Sequence, residues 1–334
     1  MSTIPRQRLA MTIPGPTGGV ADSIALAQRL EKLGWDDIWL ADAGGLDALT
    51  LTPLLLQATQ TMRMGIAVVP IFTRSPAVLA STFSVISQAF PGRFIPGLGT
   101  SSHAIINNWH GMSMEKPLTR MRETMALLRP MMAGEKTNFE GEVLRSRGYR
   151  QAPTDNQKIY LAALRPKMLE TAAEIADGVI LNLFPRSALP KIMEHIAIGA
   201  ERAGKDPASI EVVCRHMMCM TSDKAQGRAA FRASFGSYYA TPVYNKFLAW
   251  AGYEEAAAAI REGWAAKDRE KTSAALTDQL VDEIGVIGSA GECQERIRWA
   301  METGVDTAII APLALDAASA EATLKAFTAS AFKR

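Results

Sequence analysis

Short apolar runs alternate with segments of helical spacing along most of this chain. The runs are rich in Ile, Val and Leu and show no polar face, which is typical of strands buried on both sides. The segments between them, such as 23–33, repeat apolar residues at the spacing of one helix face. The pattern predicts strands at 9–13, 37–42, 66–69, 94–98, 158–163, 179–183, 210–220 and 307–311.

This alternation indicates the class of fold. Two buried strands joined by a helix form a parallel βαβ unit, and the segment 65–102 contains one such unit followed by a glycine-rich loop. Repetition of the unit over all the predicted strands favours an α/β fold of the closed (β/α)8 type, a TIM barrel. An open, doubly wound sheet is the alternative that uses the same alternation.

The domain organisation follows from the place where the alternation is interrupted. No Pro-, Gly- or Ser-rich linker divides the chain, so we expect a single domain over 1–334. The segment 222–285 breaks the pattern after the seventh strand, and we predict that it is an inserted lid or subdomain. Its aromatic residues could cover a ligand or form the core of the insertion. They are Tyr238, Tyr239, Tyr244, Phe247 and Trp250.

Two consecutive segments around predicted helices, 48–62 and 75–92, contain no charged residue. An outer barrel helix ordinarily presents a charged or polar face to water. We therefore predict that these helices, the second and third of the barrel, form a homodimer interface. The alternative is an inserted segment that folds back over them.

Composition narrows the possible partners. The chain has 36 basic and 34 acidic side chains and a net charge of +2, so we expect neither a nucleic acid nor a membrane surface as partner. The first residues lack the apolar core of a signal peptide, and we expect a cytoplasmic protein. Its cysteines, Cys214, Cys219 and Cys293, form no C-x-x-C pair and are expected to be reduced. The histidines show no metal-ligand spacing, so no metal is expected.

Two loops are candidate binding sites because they follow buried strands. Gly99, Thr100 and Ser101 come after the fourth strand, where glycine lets the backbone approach a ligand and the hydroxyls add donors. The turn 162–166 leads into a helix whose free N–H groups and dipole favour an anion, and Arg165 could bind a phosphate. A tight turn and side chains that merely satisfy loop carbonyls are the respective alternatives.

Several stretches together carry a family resemblance. Among them are DDIWLAD at 36–42, GIAVVPIFTRSPAVLA at 65–80, GRFIPGLGTSS at 92–102, the WHG and KPLTRMRE pieces within 109–123, FEGE at 139–142, IYLAAL at 159–164 and ADGVILN at 176–182. These stretches resemble the luciferase-like monooxygenase superfamily and, more closely, its branch of coenzyme F420 (deazaflavin)-dependent oxidoreductases. The resemblance runs over about 9–182 and resumes at 286–312. It implies a (β/α)8 barrel that transfers a hydride between F420 and a small organic substrate.

The resemblance also implies where the cofactor binds. A non-prolyl cis peptide would fall between Ala67 and Val68 and back the ring of the cofactor, with Asp42 beside the ring. The loop that contains Gly99 would contact the cofactor, together with Thr100 and Ser101. The implied residues of the phosphate turn and its surroundings are Ala162, Ala163, Leu164, Arg165 and Asn182.

The proton-transfer residue departs from the family pattern. Many deazaflavin-dependent members carry histidine after the aspartate that follows the second strand, whereas here Ala43 follows Asp42. Asp42 is a predicted catalytic residue, with a helix cap or loop anchor as the alternative. His110 and His103, in the loop after the fourth strand, are the other catalytic candidates, because a histidine with a pKa of about 6.5 exchanges protons at neutral pH. An ordinary surface or core histidine is the alternative for each.

Two other functions fit the same residues. A two-component monooxygenase would use reduced FMN and oxygen on the same barrel, and it would need a partner flavin reductase. A catalytically silent flavin-binding protein would also fit the absence of the histidine. The substrate itself is left open, because its pocket falls largely in 222–285.

Overall fold

The protein forms a closed barrel of parallel strands surrounded by helices. The computed structural model describes residues 7–13, 18–154 and 156–333. Its strands are β1 (Arg8–Thr12), β2 (Asp37–Leu40), β3 (Arg63–Pro70), β4 (Phe94–Gly99), β5 (Asn138–Glu140), β6 (Arg145–Arg147), β7 (Tyr160–Ala162), β8 (Gly178–Asn182), β9 (Glu211–Met220), β10 (Val286–Gly288) and β11 (Thr307–Pro312). The barrel order is β1-β2-β3-β4-β7-β8-β9-β11, and β11 pairs with β1. The predicted (β/α)8 barrel is confirmed, and the open-sheet alternative is wrong.

Helices connect the barrel strands, as the spacing predicts. They are α1 (Val20–Lys32), α2 (Ala48–Ala58), α3 (Pro76–Ala89), α4 (Pro117–Met132), α5 (Pro166–Ile175), α6 (Leu189–Arg202), α7 (Lys224–Ala240), α8 (Pro242–Trp250), α9 (Glu254–Ala265), α10 (Arg269–Ala274), α11 (Asp278–Ile284), α12 (Ala290–Glu302) and α13 (Ala317–Ala326). Side-chain caps begin several of them: Asp47 accepts from the Thr50 N–H at the start of α2, and Ser75 accepts from the Val78 N–H at the start of α3. Among the described residues, no helix is long and apolar enough to cross a membrane.

The structure extends the predicted pattern in two places. β3 begins at Arg63 rather than at 66, because its first inward-facing residues are a charged arginine and Gly65, which do not look like an apolar run. β10, which the pattern missed, pairs with the carboxyl-terminal end of β9 outside the closed ring. A π-helical turn, Ala104–Trp109, follows the glycine-rich loop after β4.

Side chains that point into the barrel stack in layers, since alternate residues of each strand face inwards. The middle layer is apolar and consists of Ala10, Trp39, Ile95, Tyr160, Ile180, Val213 and Ile309. Its largest rings, Trp39 and Tyr160, stack with their centroids 6.3 Å apart. Gly65 makes room for this pair, because a Cβ there would lie 2.4 Å from the Trp39 ring. Polar side chains lie below and above this apolar layer.

The lower layer, at the amino ends of the strands, is charged and paired. Arg63 Nη2 donates to Asp37 Oδ2 at 2.6 Å and to Glu211 Oε1 at 2.9 Å. Further donors to the two carboxylates are Arg8, Tyr160 and Thr307. Burial alone would raise the pKa of each carboxyl, but the Arg63 guanidinium holds both pKa values below their usual range. Charges closing this end of the barrel therefore neutralise one another.

The segment predicted as an insertion folds into the helices α7–α11, and α7, α8, α9 and α11 share an apolar cluster that includes Phe231, Leu248 and Ile260. The cluster also contains Met217 and Ala311, register partners at the carboxyl ends of β9 and β11. These helices therefore pack on that side of the barrel opening. Their role as a lid stays a prediction.

The charge-free helices α2 and α3 present apolar side chains to solvent. Leu54, Val78 and Val85 are 44%, 50% and 69% exposed. No segment within the described ranges folds back over these three side chains, so the alternative cover does not account for them. The homodimer through α2 and α3 stays a prediction.

Candidate active site

The carboxyl ends of the strands form the candidate active site, because the βα loops of a parallel barrel converge there. Ala67, Val68 and Ala162 pack directly on the apolar layer at this end. The ring of residues above that layer is named the barrel mouth and consists of Thr12, Ala67, Val68, Gly99, Ala162, Asn182 and Arg215. β3 and β9 lie on opposite sides of the closed ring. One wall of the mouth is therefore lined by small side chains and the opposite wall by polar ones.

The small-residue wall is formed by β3 and β4. The peptide between Ala67 and Val68 is cis, which confirms the implied non-prolyl cis bond, and the β3–β4 register shifts between Ile66 and Val69. A Cβ at Gly97 would lie 2.1 Å from the Ile66 carbonyl oxygen. A Cβ at Gly99 would lie 2.3 Å from Val68 Cγ2. Contact between the two strands therefore explains these glycines, and the contact of Gly99 with a ligand stays a prediction.

The loop after β4 presents unused donors. Thr100 and Ser101 are half-buried, and Ser101 has a φ of 62°, a left-handed conformation that is uncommon for a residue other than glycine. Residues held in such conformations cluster at ligand-binding sites. Neither hydroxyl hydrogen bonds to any residue that the structure describes, so both could donate to a ligand.

The two candidate histidines lie at the rim of the opening. His103 and His110 flank the π-helical turn and are both exposed. His103 Nδ1 lies 3.1 Å from Asn107 Oδ1 in the same turn. Trp109, beside His110, packs over Gly44 of the loop after β2, where a Cβ would lie 3.1 Å from the indole. Within the described ranges neither imidazole hydrogen bonds to the barrel mouth, and the proton-transfer role of both stays a prediction.

Asp42, just after β2, is anchored by two neighbours. Its Oδ2 accepts from Arg74 Nη1 at 2.5 Å, and its Oδ1 accepts from the Ala48 N–H at 3.4 Å, at the start of α2. Arg74 also pairs with Asp47, the N-cap of α2. The anchoring role considered as the alternative is thus present, and the contact of Asp42 with a cofactor ring stays a prediction.

The turn after β7 is the predicted anion site at the start of α5. Arg165 occupies the N-cap position with no side-chain cap, so its exposed guanidinium stands beside the free end of the helix. Lys167 is exposed in the first turn, and neither cation hydrogen bonds to a described residue. The Ala163 N–H donates to the Ile180 carbonyl oxygen at 3.1 Å and is not free, while Leu164 packs against the main core. Of the predicted turn residues, Arg165 is therefore the one best suited to an anion.

The polar wall of the mouth is formed by Asn182 and Arg215, which are register partners on β8 and β9. Arg215 Nε donates to Thr12 Oγ1 at 3.3 Å. Among the described residues no carboxylate pairs with Arg215, and burial lowers the pKa of its guanidinium. Asn182 Nδ2 donates to the Tyr244 hydroxyl at 3.3 Å, while its Oδ1 is buried without a partner. The Asn182 side chain therefore lies in the barrel mouth, and it is not only a neighbour of the predicted phosphate turn.

The aromatic residues of the insertion include core residues, whereas their role in covering a ligand stays a prediction. Tyr239 and Phe247 are fully buried, as core residues are. The Tyr239 hydroxyl donates to the Leu183 carbonyl oxygen at 3.1 Å, which fixes the insertion to the end of β8. Tyr244 reaches Asn182 in the mouth, and burial raises the pKa of its hydroxyl to about 12. Its phenol therefore stays protonated at neutral pH.

The residues that the sequence reasoning missed are Arg215, Tyr244 as a partner of the mouth, and Trp109 as a cover for Gly44. A charge in the middle of the long strand 210–220 was the available signal for Arg215. His216, next to it, points the other way, towards the helices. Burial and the nearby Arg296 guanidinium lower the pKa of His216 to about 3, so it is neutral at pH 7.

A closed parallel barrel with a candidate anion site and a polar wall at its carboxyl end is the architecture of (β/α)8 barrel enzymes. A family model described as luciferase-like monooxygenase matches residues 4–307, and the chain belongs to this family. The resemblance of the sequence motifs is thereby confirmed.

Individual relatives add detail. The chain is 29% identical over 300 residues to a 5,10-methylenetetrahydromethanopterin reductase of Methanolobus tindarius, covering 89% of this chain and 91% of the relative. The solved coenzyme F420-dependent tetrahydromethanopterin reductase from Methanopyrus kandleri has a similar fold, with a TM-score of 0.79 and 19% identity over 96% of this chain and 97% of the other. A solved F420-dependent secondary alcohol dehydrogenase, in complex with an F420–acetone adduct, also gives a TM-score of 0.79, with 19% identity over 99% of this chain and 100% of the other.

Proposed function

We propose that this chain is a coenzyme F420-dependent oxidoreductase that transfers a hydride between the deazaflavin and a small organic substrate. The observation that carries the proposal is the uncapped start of α5, where Arg165 and Lys167 stand without partners among the described residues. This is the turn in which the family resemblance implies the cofactor phosphate. The names of the relative and of the two solved neighbours, which are reductases or F420-dependent enzymes, support the same assignment.

The barrel mouth fits a flat ring. Ala67 and Val68 on β3, with Gly99 on β4, give a wall without long side chains, against which a ring system could lie. Thr100 and Ser101 would donate their free hydroxyls to it. When bound, the deazaflavin supplies the hydride chemistry at its C5, while the protein orients the reactants and excludes water.

We propose His110, His103 or Asp42, in the loops around the barrel opening, as the acid or base that transfers the proton. Asp42 is already paired with Arg74, whereas the exposed histidines are free to approach a bound substrate. Changing the proton-transfer histidine, His110 or His103, to Asn should lower turnover by about 10²–10⁴-fold, the usual contribution of a general acid or base. Unchanged turnover in both the His110→Asn and His103→Asn variants would exclude the histidines.

The cofactor assignment is tested by fluorescence titration with F420 and, separately, with FMN. We expect micromolar binding of F420 and weak binding of FMN. The double variant Arg165→Gln/Lys167→Gln should bind F420 at least ten times more weakly, because two cations beside the helix N-terminus are removed. A matched control, Arg145→Gln/Arg147→Gln, removes two cations from the β5–β6 hairpin and should leave the affinity unchanged.

A preference for FMN would overturn this proposal. It would favour the two-component monooxygenase, which the family description also names. Oxygen uptake with a flavin reductase would then be the decisive assay.

A further inference from the structure

We propose that the substrate carries a carboxylate, which binds between Arg215 and Asn182 on the β8–β9 wall of the barrel mouth. The inference rests on the proposed function, since it assigns the cofactor ring to the opposite wall at Ala67 and Val68. A flat substrate would then lie between the ring and the guanidinium, held by its acid group.

Arg215 is the residue of the barrel mouth that we expect to bind an anion. Within the described ranges its guanidinium makes one hydrogen bond, from Nε to Thr12 Oγ1, and no ion pair. The other inward-facing arginine, Arg63, lies between Asp37 and Glu211. A guanidinium presents a planar fork of donors that matches a carboxylate, and pairs of this kind are frequently bidentate. The remaining donors of Arg215 therefore favour a carboxylate brought by a ligand.

Asn182 supplies a second, independent observation. The buried Oδ1 atom has no partner, although Nδ2 contacts the Tyr244 hydroxyl. The oxygen and nitrogen of an asparagine amide can exchange places by a flip of the group. After such a flip the Tyr244 hydroxyl would donate to Oδ1, and Nδ2 would be the unused atom, ready to donate to a carboxylate oxygen beside Arg215. A buried polar atom without a partner costs free energy, which a bound ligand would offset.

The position of this pair favours the substrate over the cofactor as the source of the anion. β9 lies opposite β3 in the barrel, so the two residues face the wall assigned to the ring. The phosphate has its own candidates, Arg165 and Lys167, on the turn after β7. Tyr238 and Tyr244 lie near Arg215, and because burial raises the pKa of the Tyr244 hydroxyl, Tyr244 supplies an uncharged phenol at neutral pH. A carboxylate is therefore the group that would complete this wall.

The test uses two pairs of probes that differ in charge but little in shape: benzoate with benzamide, and propionate with propionamide. Binding is followed by ligand-observed NMR on the full chain, with and without F420. We expect the wild-type protein to bind the acid of each pair at least ten times more tightly than the amide. Arg215→Gln should abolish this preference, and Arg215→Lys, which keeps the charge without the fork, should retain part of it. The control Arg165→Gln should retain all of it.

The outcomes separate this inference from the proposed function. Equal affinity for acid and amide in the wild type, or a preference that persists in Arg215→Gln, would overturn the inference. A tenfold loss of F420 affinity in Arg215→Gln would overturn it as well, because the anion would then belong to the cofactor. Failure of the wild type to bind F420, with the preference for acids intact, would overturn the proposed function and leave the carboxylate site supported.

Discussion

Two polar layers bracket the apolar interior of the same barrel, and they differ in how their charges are paired. In the lower layer Arg63 lies between Asp37 and Glu211. In the upper layer Arg215 donates to the Thr12 hydroxyl but pairs with no carboxylate among the described residues. The Oδ1 atom of Asn182 is buried without a partner. A buried charged or polar group without a partner reduces the stability of the fold. When the group is paired, the partner offsets much of the free-energy cost of burying it. The paired charges of the lower layer therefore stabilise the folded barrel, whereas the unpaired groups of the upper layer are available to bind a ligand.

The difference follows the direction of the strands. Loops that enter the strands at the lower end need only close the barrel, and a self-contained set of charges does so. Loops that leave the strands at the upper end vary freely in length and bring the insertion, the π-helical turn and α5 to one place. Substitutions in the two layers should therefore have different consequences.

The largest effect is expected at the lower layer. Replacing Arg63 with Met should lower the free energy of unfolding by about 3–5 kcal/mol, because Glu211 would remain buried without its cation and Asp37 would keep only Arg8. Urea unfolding followed by circular dichroism measures the change. Arg147→Met, at an exposed position on β6, is the control and should change stability by less than about 0.5 kcal/mol. A loss below about 1 kcal/mol for Arg63→Met would contradict the role of the lower layer.

The free energy of unfolding should be almost as sensitive to substitutions in the small-residue wall formed by β3 and β4. A methyl group at Gly97 would meet the Ile66 carbonyl oxygen at 2.1 Å, and backbone cannot move aside as a flexible side chain does. Gly97→Ala should therefore lower stability by about 3 kcal/mol, at the upper end of overpacking costs. Gly291→Ala is the matched control, because a Cβ there meets nothing within 4 Å. Equal stability of the two variants would show that β3 and β4 can separate without cost.

Acid should destabilise the protein through His216, which lies outside the barrel interior. Its pKa is lowered from 6.5 to about 3 in the folded protein, so the unfolded chain binds the proton first as the pH falls. The stability contributed by the neutral ring is present above pH 6.5 and is lost progressively towards pH 3. The loss should reach about 2 kcal/mol at pH 5, at 1.36 kcal/mol per pH unit.

His216→Met removes the titrating group and should flatten this part of the curve. Urea unfolding at several pH values, with wild type and variant side by side, measures the difference. Parallel curves for the two proteins would show that other groups cause the acid sensitivity.

The smallest effect on stability is expected at the surface of α3. Val85 is 69% exposed on the predicted homodimer face. Val85→Asp should change the free energy of unfolding by less than about 0.5 kcal/mol but convert a dimer into a monomer in analytical ultracentrifugation. Ile198→Asp, at another exposed apolar position on α6, should leave the dimer intact. A dimer that survives Val85→Asp would place the interface elsewhere.

The fold was predictable because its signal is local and repeated. Each apolar run between helical segments predicts a strand without reference to the rest of the chain, and the order of elements predicts the barrel. The start of β3 was missed because Arg63 and Gly65 face inwards for non-local reasons, an ion pair and the Trp39 ring. Such partners come from strands distant in the sequence.

The site was predictable only in part for the same reason. The turn at Arg165 could be found because a strand, a cation and a helix start are neighbours in the sequence. Arg215 could not, since the face that a residue of β9 presents depends on how the barrel closes. Asp42 was recognised by its position, but its partner Arg74 comes from the loop after β3. Contacts between loops leave no periodic pattern.

The central claim, that the upper layer is kept for a ligand, is tested most directly by the stability of Arg215→Met in the absence of ligand. Urea unfolding of this variant should give a free energy equal to or greater than that of the wild type, because a half-buried cation without a carboxylate partner among the described residues is replaced by an apolar side chain of similar length. A loss of about 3–5 kcal/mol, as expected for Arg63→Met, would contradict the claim and make Arg215 a structural residue.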